Sequence, residues 1–249
     1  MATDRQRPAS EGTLVVLFGS KAGAGTSAVA ANLAIALRQL AEARVILIEG
    51  HYDLGNLTSL LDLAPERHLG HALGGSLGDG LRAHPSGVDV LLRSPEGEAP
   101  TVAQQRAVLQ QARALAPYII VDSPLRYDEL FHALLIEADD LLMVTTPEAT
   151  ALRHGERFLH QAEAWGILPQ LAVVVNRWES ESGVEPAQLQ ALFGSRIVGR
   201  LPSAGRLAVD AANSGRPFVS ESREHPLSQA VVALGQWLHG RPAPAQQPR

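Results

Sequence analysis

The chain has 249 residues, of which 45% are apolar and 19% charged, and its formal net charge is −5. This composition is typical of a globular protein with a sizeable core, and the negative charge excludes a global attraction to nucleic acid. Cysteine is absent, which excludes disulfides, thiolate metal sites and a cysteine nucleophile. No apolar run approaches the ~20 residues of a membrane-spanning helix.

Apolar runs alternate with helix-like segments along most of the chain. The strand candidates, mostly continuous Val, Ile and Leu runs, are 13–18, 45–49, 88–92, 118–122, 140–146, 171–175 and 196–200. The helix candidates are 27–41, 56–62, 102–116, 128–137, 148–165, 186–193, 204–213 and 226–239. This alternation predicts a doubly wound α/β fold, in which helices cover both faces of a mostly parallel sheet.

The same pattern predicts how the chain is divided. We expect one nucleotide-binding domain over 13–240, a disordered N-terminal segment over 1–12 and a disordered Pro-rich tail over 241–249. The segment 74–87 is rich in Gly and Ser, and we expect it to be a mobile loop.

A glycine-rich turn separates the first strand candidate from the first helix candidate and reads Gly-Ser-Lys-Ala-Gly-Ala-Gly-Thr-Ser over 19–27. Backbone N–H groups of such a turn, together with a helix N-terminus, form a cradle for anions. In the usual phosphate loop a Lys contacts the β- and γ-phosphates and the following Ser or Thr contacts Mg²⁺. Here Thr26 stands at the lysine position, Ser27 keeps the hydroxyl, and Lys21 lies at the front of the turn.

The turn resembles the deviant phosphate loop of the MinD/ParA ATPases, K-G-G-x-G-K-[ST]. Lys21, Gly23, Gly25 and Ser27 match that pattern, whereas Ala22 and Thr26 depart from it. Five more segments resemble the remaining motifs of that family in the same order, namely 47–57, 118–124, 141–148, 173–177 and 211–217. The missing loop lysine and the Asp-Ser-Pro-Leu-Arg sequence at 122–126 are most similar to the CpaE/TadZ branch, which serves Tad-type pili.

This resemblance implies ATP and Mg²⁺ as cofactors and a homodimer, in which Lys21 reaches the partner's nucleotide. It places the nucleotide on Lys21, Gly23, Ala24, Gly25, Thr26 and Ser27, with the adenine at Asn176 and Arg177. It places Mg²⁺ or its water near Ser27, Glu49 and Asp122. It assigns catalysis to Lys21, Asp53 and Asp122, whereas His51 stands where the family has an aspartate that orients water.

Each assignment has an ordinary structural alternative. Lys21 is otherwise a solvated loop lysine, and Ser27 is a helix-capping residue in a plain tight turn. Asp53 and Asp122 are otherwise capping carboxylates, and His51 is an exposed strand-end histidine. Asn176 and Arg177 would then be no more than the polar end of a strand.

Three functions therefore remain open. We expect an ATP-binding dimerisation switch with weak or no hydrolysis, because the cation that should face the developing γ-phosphate charge is absent. The resemblance implies a role in localising or assembling a pilus or secretion machine through protein partners, from the cytoplasm, with recruitment to a cell pole or membrane complex. From the net charge of −5 and the short polar C-terminal segment we expect neither direct nucleic-acid binding nor a membrane-targeting helix. The alternatives are an active positioning ATPase of the MinD/ParA type and a degenerate scaffold that dimerises without nucleotide.

Overall fold

The computed structural model describes residues 11–52, 55–96, 99–180 and 183–241. The strands in these ranges are β1 (Thr13–Gly19), β2 (Val45–Glu49), β3 (Leu81–Ala83), β4 (Asp89–Leu91), β5 (Tyr118–Ser123), β6 (Asp140–Thr145), β7 (Leu171–Asn176) and β8 (Ile197–Leu201). The α-helices are α1 (Thr26–Ala41), α2 (Leu57–Leu60), α3 (Leu69–Gly74), α4 (Leu77–Gly80), α5 (Val102–Leu115), α6 (Glu129–Glu137), α7 (Ala149–Ala164), α8 (Pro186–Phe193), α9 (Arg206–Ser214), α10 (Phe218–Glu221) and α11 (Pro226–His239).

The strands form one eight-stranded sheet in the order β3-β4-β2-β5-β1-β6-β7-β8. Every neighbouring pair is parallel except β3 and β4, which are antiparallel. Since β1 lies between β5 and β6, the loop after β1 meets the carboxyl ends of both neighbours. Ligands of open α/β sheets bind at that edge, and the doubly wound α/β prediction is confirmed.

The central strands are apolar on both faces because helices cover both. Along β1, Val15 and Leu17 face one hydrophobic core, which α1 and α11 cover. Leu14, Val16 and Phe18 face a second core, on the side of α5, α6 and α7. All five side chains are fully buried. Burying each contributes about 1.5–3 kcal/mol, so β1 is anchored on both sides of the sheet.

The predicted loop at 74–87 is wrong in detail, since this segment contains α4 and β3. Ser76 and Asp79 form a capping box that starts α4, and β3 then turns back antiparallel to β4, with Leu81 opposite Leu91. The helices α3 and α10 were also not predicted. These elements have three to six residues each, too few to show a periodicity.

Both edges of the sheet are short or irregular. At one edge β3 has three residues. At the other, the pairing of β7 with β8 shifts register between Val173 and Val174, and the Arg200 guanidinium lies 4.7 Å from the centre of the Trp178 ring. Among the helices of the described ranges, none has the length and apolarity needed to cross a bilayer.

Candidate functional site

The glycine-rich loop connects the buried end of β1 to the start of α1. Gly23 and Gly25 have φ values of 76° and 90°, in the left-handed region that glycine adopts without steric cost. A Cβ on Gly19 would lie 2.7 Å from Thr26 Oγ1 and 2.9 Å from the Lys21 carbonyl oxygen. The loop therefore curls tightly over the strand end, at the N-terminus of a sixteen-residue helix, as an anion cradle requires.

Strand β6 holds the front of this loop. The Ser20 N–H donates to the Val144 carbonyl at 2.8 Å, and the Ser20 hydroxyl donates to Thr145 Oγ1 at 3.0 Å. Ser20, Thr145 and Val144 are all fully buried. Sequence reasoning missed Ser20 and Thr145, because nothing in the sequence places β6 beside β1.

Strand β7 holds the back of the loop through Asn176, whose Nδ2 donates to the Ala24 carbonyl at 2.9 Å. The next residue, Arg177, is exposed and adopts a φ of 55°. The structure thus brings Asn176 to the loop, while the adenine contact of both residues stays a prediction.

Thr26 and Lys21, which distinguish this loop from the usual phosphate loop, lie on opposite sides of it. The Thr26 hydroxyl points back against Gly19, so this position supplies no cation. The Lys21 Nζ lies 2.9 Å from Glu148 Oε2, just after β6, and the Lys21 side chain is only 23% exposed. The Lys21 ammonium, helped by the Thr146 hydroxyl, holds the pKa of Glu148 below its usual range against the opposing effect of burial. Lys21 is therefore bound within its own chain and is not a freely solvated lysine.

Asp122 is the second-last residue of β5, which lies between the loop strand β1 and the neighbouring strand β2. Its side chain is fully buried, and neither carboxylate oxygen receives a hydrogen bond from the part of the chain that the structure describes. The closest cationic candidate is His51, whose Nε2 lies 3.7 Å from Oδ1. A buried carboxylate without donors is costly unless a cation or an ordered water satisfies it.

This carboxylate suits a magnesium ion in the neighbouring cradle. Mg²⁺ is usually bound by one or two carboxylates together with phosphate oxygens and water, and not by an all-protein cage. Within the described ranges no group of three or more His, Asp or Glu side chains could hold a metal alone. Ser27, in the first turn of α1, remains the predicted hydroxyl ligand.

His51 differs from an ordinary exposed histidine. Burial is the largest single influence on its pKa and lowers it, but the Asp122 and Glu49 carboxylates outweigh burial, and Arg126 opposes them weakly. The net pKa is raised. The protonated form is thus stabilised relative to that of an exposed histidine, at the position where the family resemblance implies an aspartate. Asp53, the other predicted carboxylate of this segment, lies outside the described residues.

Glu49 makes contacts that sequence reasoning did not foresee. Its Oε1 accepts from the Leu57 N–H at 2.9 Å and its Oε2 from the Arg93 N–H at 3.0 Å. A Cβ on Gly55 would collide with Oε1. Burial raises the pKa of Glu49 despite these two donors, and the Asp122 charge adds to the rise. Glu49 therefore ties the start of α2 and the exit of β4 to the end of β2, whereas its predicted magnesium role remains a prediction.

We expect Glu49→Ala to lower the free energy of unfolding of the ligand-free protein by about 2–4 kcal/mol, because one buried and one partly buried N–H group would lose their acceptor. Glu156→Ala, at an exposed position of α7, is the matched control and should change stability by less than about 0.5 kcal/mol. Urea unfolding without nucleotide measures both. An unchanged midpoint for Glu49→Ala would show that these backbone contacts contribute nothing and would leave only the metal role.

Comparisons with known proteins agree with this architecture. No protein-family model matches the chain. The septum site-determining protein MinD of Synechocystis sp. is 26% identical over 246 residues, which cover 93% of this chain and 91% of that protein.

Solved structures share the fold. A ParA family ATPase from Chlorobium tepidum aligns with a TM-score of 0.83 and 21% identity over 92% of this chain and all of that one. A chain of the MinC:MinD cell division protein complex of Aquifex aeolicus gives a TM-score of 0.80 and 24% identity over 94% of this chain and 98% of that one. MinD of Pyrococcus horikoshii, complexed with Mg-ADP, gives 0.77 and 19% over 92% and 96%.

The chain thus has the fold of the MinD/ParA P-loop ATPases, and it is similar in sequence to MinD over 93% of its length.

Proposed function

We propose that this protein is an ATP–Mg²⁺-binding dimerisation switch with weak or no hydrolysis. One observation carries the proposal. The buried carboxylate of Asp122, near the end of β5, receives no hydrogen bond from the described residues and lies next to an anion cradle formed by Gly23 and Gly25. An anion cradle beside an unsatisfied carboxylate fits a phosphate chain together with a divalent cation.

The nucleotide would lie on the backbone of the loop. The N–H groups of residues 23–27 would face the phosphates. Ser27 and Asp122 would hold Mg²⁺ or its waters, and Asn176 and Arg177 would contact the adenine base. Bound Mg²⁺ would neutralise part of the phosphate charge. MinD of Pyrococcus horikoshii, which shares the fold, is complexed with Mg-ADP, and this supports the choice of ligand.

The presence of Thr26 in place of a lysine should impair hydrolysis of the nucleotide more than it impairs binding. Backbone N–H groups and the helix N-terminus are fixed in place, so the ground state keeps much of its binding energy. The transition state accumulates charge at the γ-phosphate, where a lysine would act. An active positioning ATPase is the second candidate, since Asp122 is retained and MinD is a relative. A phosphate-release assay separates the two candidates.

Lys21 is the residue proposed to join two subunits. Within its own chain the Lys21 ammonium is paired with the Glu148 carboxylate. To join two subunits, it must leave this carboxylate and bind the phosphates of the nucleotide that the partner subunit holds. The nucleotide would then lie at the subunit interface, and the dimer would present a surface for a further protein. The MinC:MinD complex of Aquifex aeolicus contains such a second protein, which supports this part of the proposal.

The cellular role that fits best is the localisation or assembly of a pilus or secretion machine. It rests on the likeness to CpaE/TadZ proteins in the loop and in residues 122–126. In that role the switch would be recruited to a cell pole or a membrane complex by its protein partners, without direct contact to nucleic acid. A scaffold that dimerises without nucleotide is the competing interpretation.

A thermal-shift measurement with ATP and Mg²⁺ tests the proposal. A ligand at a hundred times its Kd adds about 2.7 kcal/mol to the stability of the native state. In a chain of this size we expect a rise in Tm of roughly 5–10 °C. ATP with a chelator in place of Mg²⁺ is the control and should give a smaller rise. An unchanged Tm at millimolar ATP–Mg²⁺ would favour the scaffold.

We expect Lys21→Ala to abolish ATP-dependent dimerisation without preventing nucleotide binding by the monomer. Glu148→Gln should act in the opposite direction, because it releases Lys21 from its own chain. Ion pairs near the surface contribute about 0–1 kcal/mol each, and a dimer would break two of them, so dimers should form at up to about thirtyfold lower concentration. Sedimentation velocity with and without ATP measures both variants. ATP-dependent dimers of Lys21→Ala would remove Lys21 from the interface.

A further inference from the structure

The side chain of Asn176 connects strand β7 to the glycine-rich loop. It lies at the end of β7, which is separated from β1 by β6. Its Nδ2 donates to the Ala24 carbonyl, 2.9 Å away and 152 residues earlier in the chain. Ala24 is only 1% exposed, so this hydrogen bond fixes the inner part of the loop and not a solvated tip.

The backbone of the next residue orients this amide. The Arg177 N–H donates to Asn176 Oδ1 at 2.9 Å, and Arg177 adopts a φ of 55°. A residue other than glycine in that region stores about 1–3 kcal/mol of strain, which the surrounding structure must offset. The strained turn places the oxygen of the amide on the Arg177 side and directs its nitrogen at the loop.

Gly25 shows how closely the two segments approach. A Cβ at this position would lie 2.5 Å from Asn176 Nδ2, and the φ of 90° also requires glycine. The loop therefore leaves space for the Asn176 amide at the point where α1 begins. A side-chain amide has two N–H donors and two acceptor sites on its oxygen. With respect to the described residues, Asn176 thus retains one of each for another partner such as a base.

We propose that Asn176 is a positioning residue of the phosphate loop, which holds Ala24, and through it the cradle, in the anion-binding conformation independently of any base. This deepens the proposed function and rests on it for the ligand. A loop without the usual lysine depends more on backbone N–H groups that are already in place, because preorganised donors need no reordering when the ligand binds. Ser20 fixes the front of the loop to β6, and Asn176 fixes the back to β7.

The first test needs no nucleotide. The Ala24 N–H donates to the Lys21 carbonyl at 3.3 Å, so its hydrogen exchange reports on the closed turn. Losing one neutral hydrogen bond from the loop should accelerate that exchange by about two- to tenfold in Asn176→Ala. Asn176→Asp, which keeps the acceptor for Arg177 but lacks the donor, should do the same. Asn213→Ala, at an exposed position of α9, is the matched control and should leave exchange unchanged.

The second test separates positioning from base recognition. Mg²⁺–ATP and Mg²⁺–tripolyphosphate, which has no base, are titrated against wild type, Asn176→Ala and Asn213→Ala. If Asn176 positions the loop, Asn176→Ala weakens both ligands by the same factor of about two- to tenfold. A loss of ATP affinity with tripolyphosphate unchanged would overturn the proposal and make Asn176 a base-binding residue.

The two tests also separate failure of this proposal from failure of the proposed function. If wild type binds neither ligand, the proposed function fails. Hydrogen exchange of the Ala24 N–H would still decide whether Asn176 positions the loop. Loop exchange that is equal in wild type, Asn176→Ala and Asn176→Asp would overturn the positioning role whatever the nucleotide affinities are.

Discussion

Thr26→Lys should tighten ATP–Mg²⁺ binding by about ten- to a hundredfold. A hydrogen bond between a charged pair contributes about 1.5–3 kcal/mol, which corresponds to that range of affinity. Thr26 is the first residue of α1 and lies against Gly19, at the bottom of the anion cradle. A lysine side chain at this position would start there and extend into the cradle. Phosphate release should also accelerate, because the new ammonium would face the charge that develops during transfer.

Calorimetric titration of ATP–Mg²⁺ measures the affinity, and a coupled phosphate assay measures turnover. Gln110→Lys, on the exposed face of α5, adds the same charge away from the loop and should leave both unchanged. If Thr26→Lys binds ATP no better than wild type, the loop does not hold the phosphates in the geometry proposed here.

Asp122→Asn should have opposite effects on the free and the nucleotide-bound protein. Without ligand we expect it to raise stability by about 1–3 kcal/mol, because a neutral amide is less costly to bury than a carboxylate without donors. With ATP we expect the Mg²⁺-dependent part of the stabilisation to disappear. Functional sites commonly retain such destabilising groups.

Asp140→Asn is the matched control for this experiment. Asp140 is also a buried aspartate, but it lies at the start of β6, at the opposite end of the strands from the loop. Its carboxylate is 3.1 Å from the Arg241 guanidinium, although burial raises its pKa. Replacing it should leave the response to ATP–Mg²⁺ unchanged. Denaturant unfolding with and without ATP–Mg²⁺ measures both variants. A destabilised Asp122→Asn that keeps its full Mg²⁺ response would contradict the assignment.

The sequence predicts the frame of the site better than its internal contacts. The apolar run of β1, the glycines and the helix that follows are adjacent in sequence, so local patterns suffice to predict a strand, a cradle and a helix. Buried strands such as β5 and β7 are recognisable because both of their faces are apolar. The three-residue strand β3 and the short helices α3 and α4 form because neighbouring elements pack on them, and they are too short for their own sequences to show a periodicity.

The contacts within the site join residues far apart in the chain. Lys21 meets Glu148, and Asn176 meets Ala24, because β6 and β7 follow β1 in the order of the sheet. Neither pairing can be inferred without that order. The Pro-Glu turn at 147–148 is a visible signal, yet it does not identify Lys21 as the partner. Glu49 shows the converse, since a carboxylate predicted for a metal site holds two backbone N–H groups.

The irregular margins of the sheet limit how this protein can associate. A long, flat outer strand is a template for backbone pairing with another chain, and natural proteins prevent this with short strands, bulges and charged side chains. Here β3 offers three residues, and β8 combines a register shift with Arg200. Ordered polymerisation by strand addition is thus disfavoured at both margins, so any association between copies of this chain would have to use side-chain surfaces.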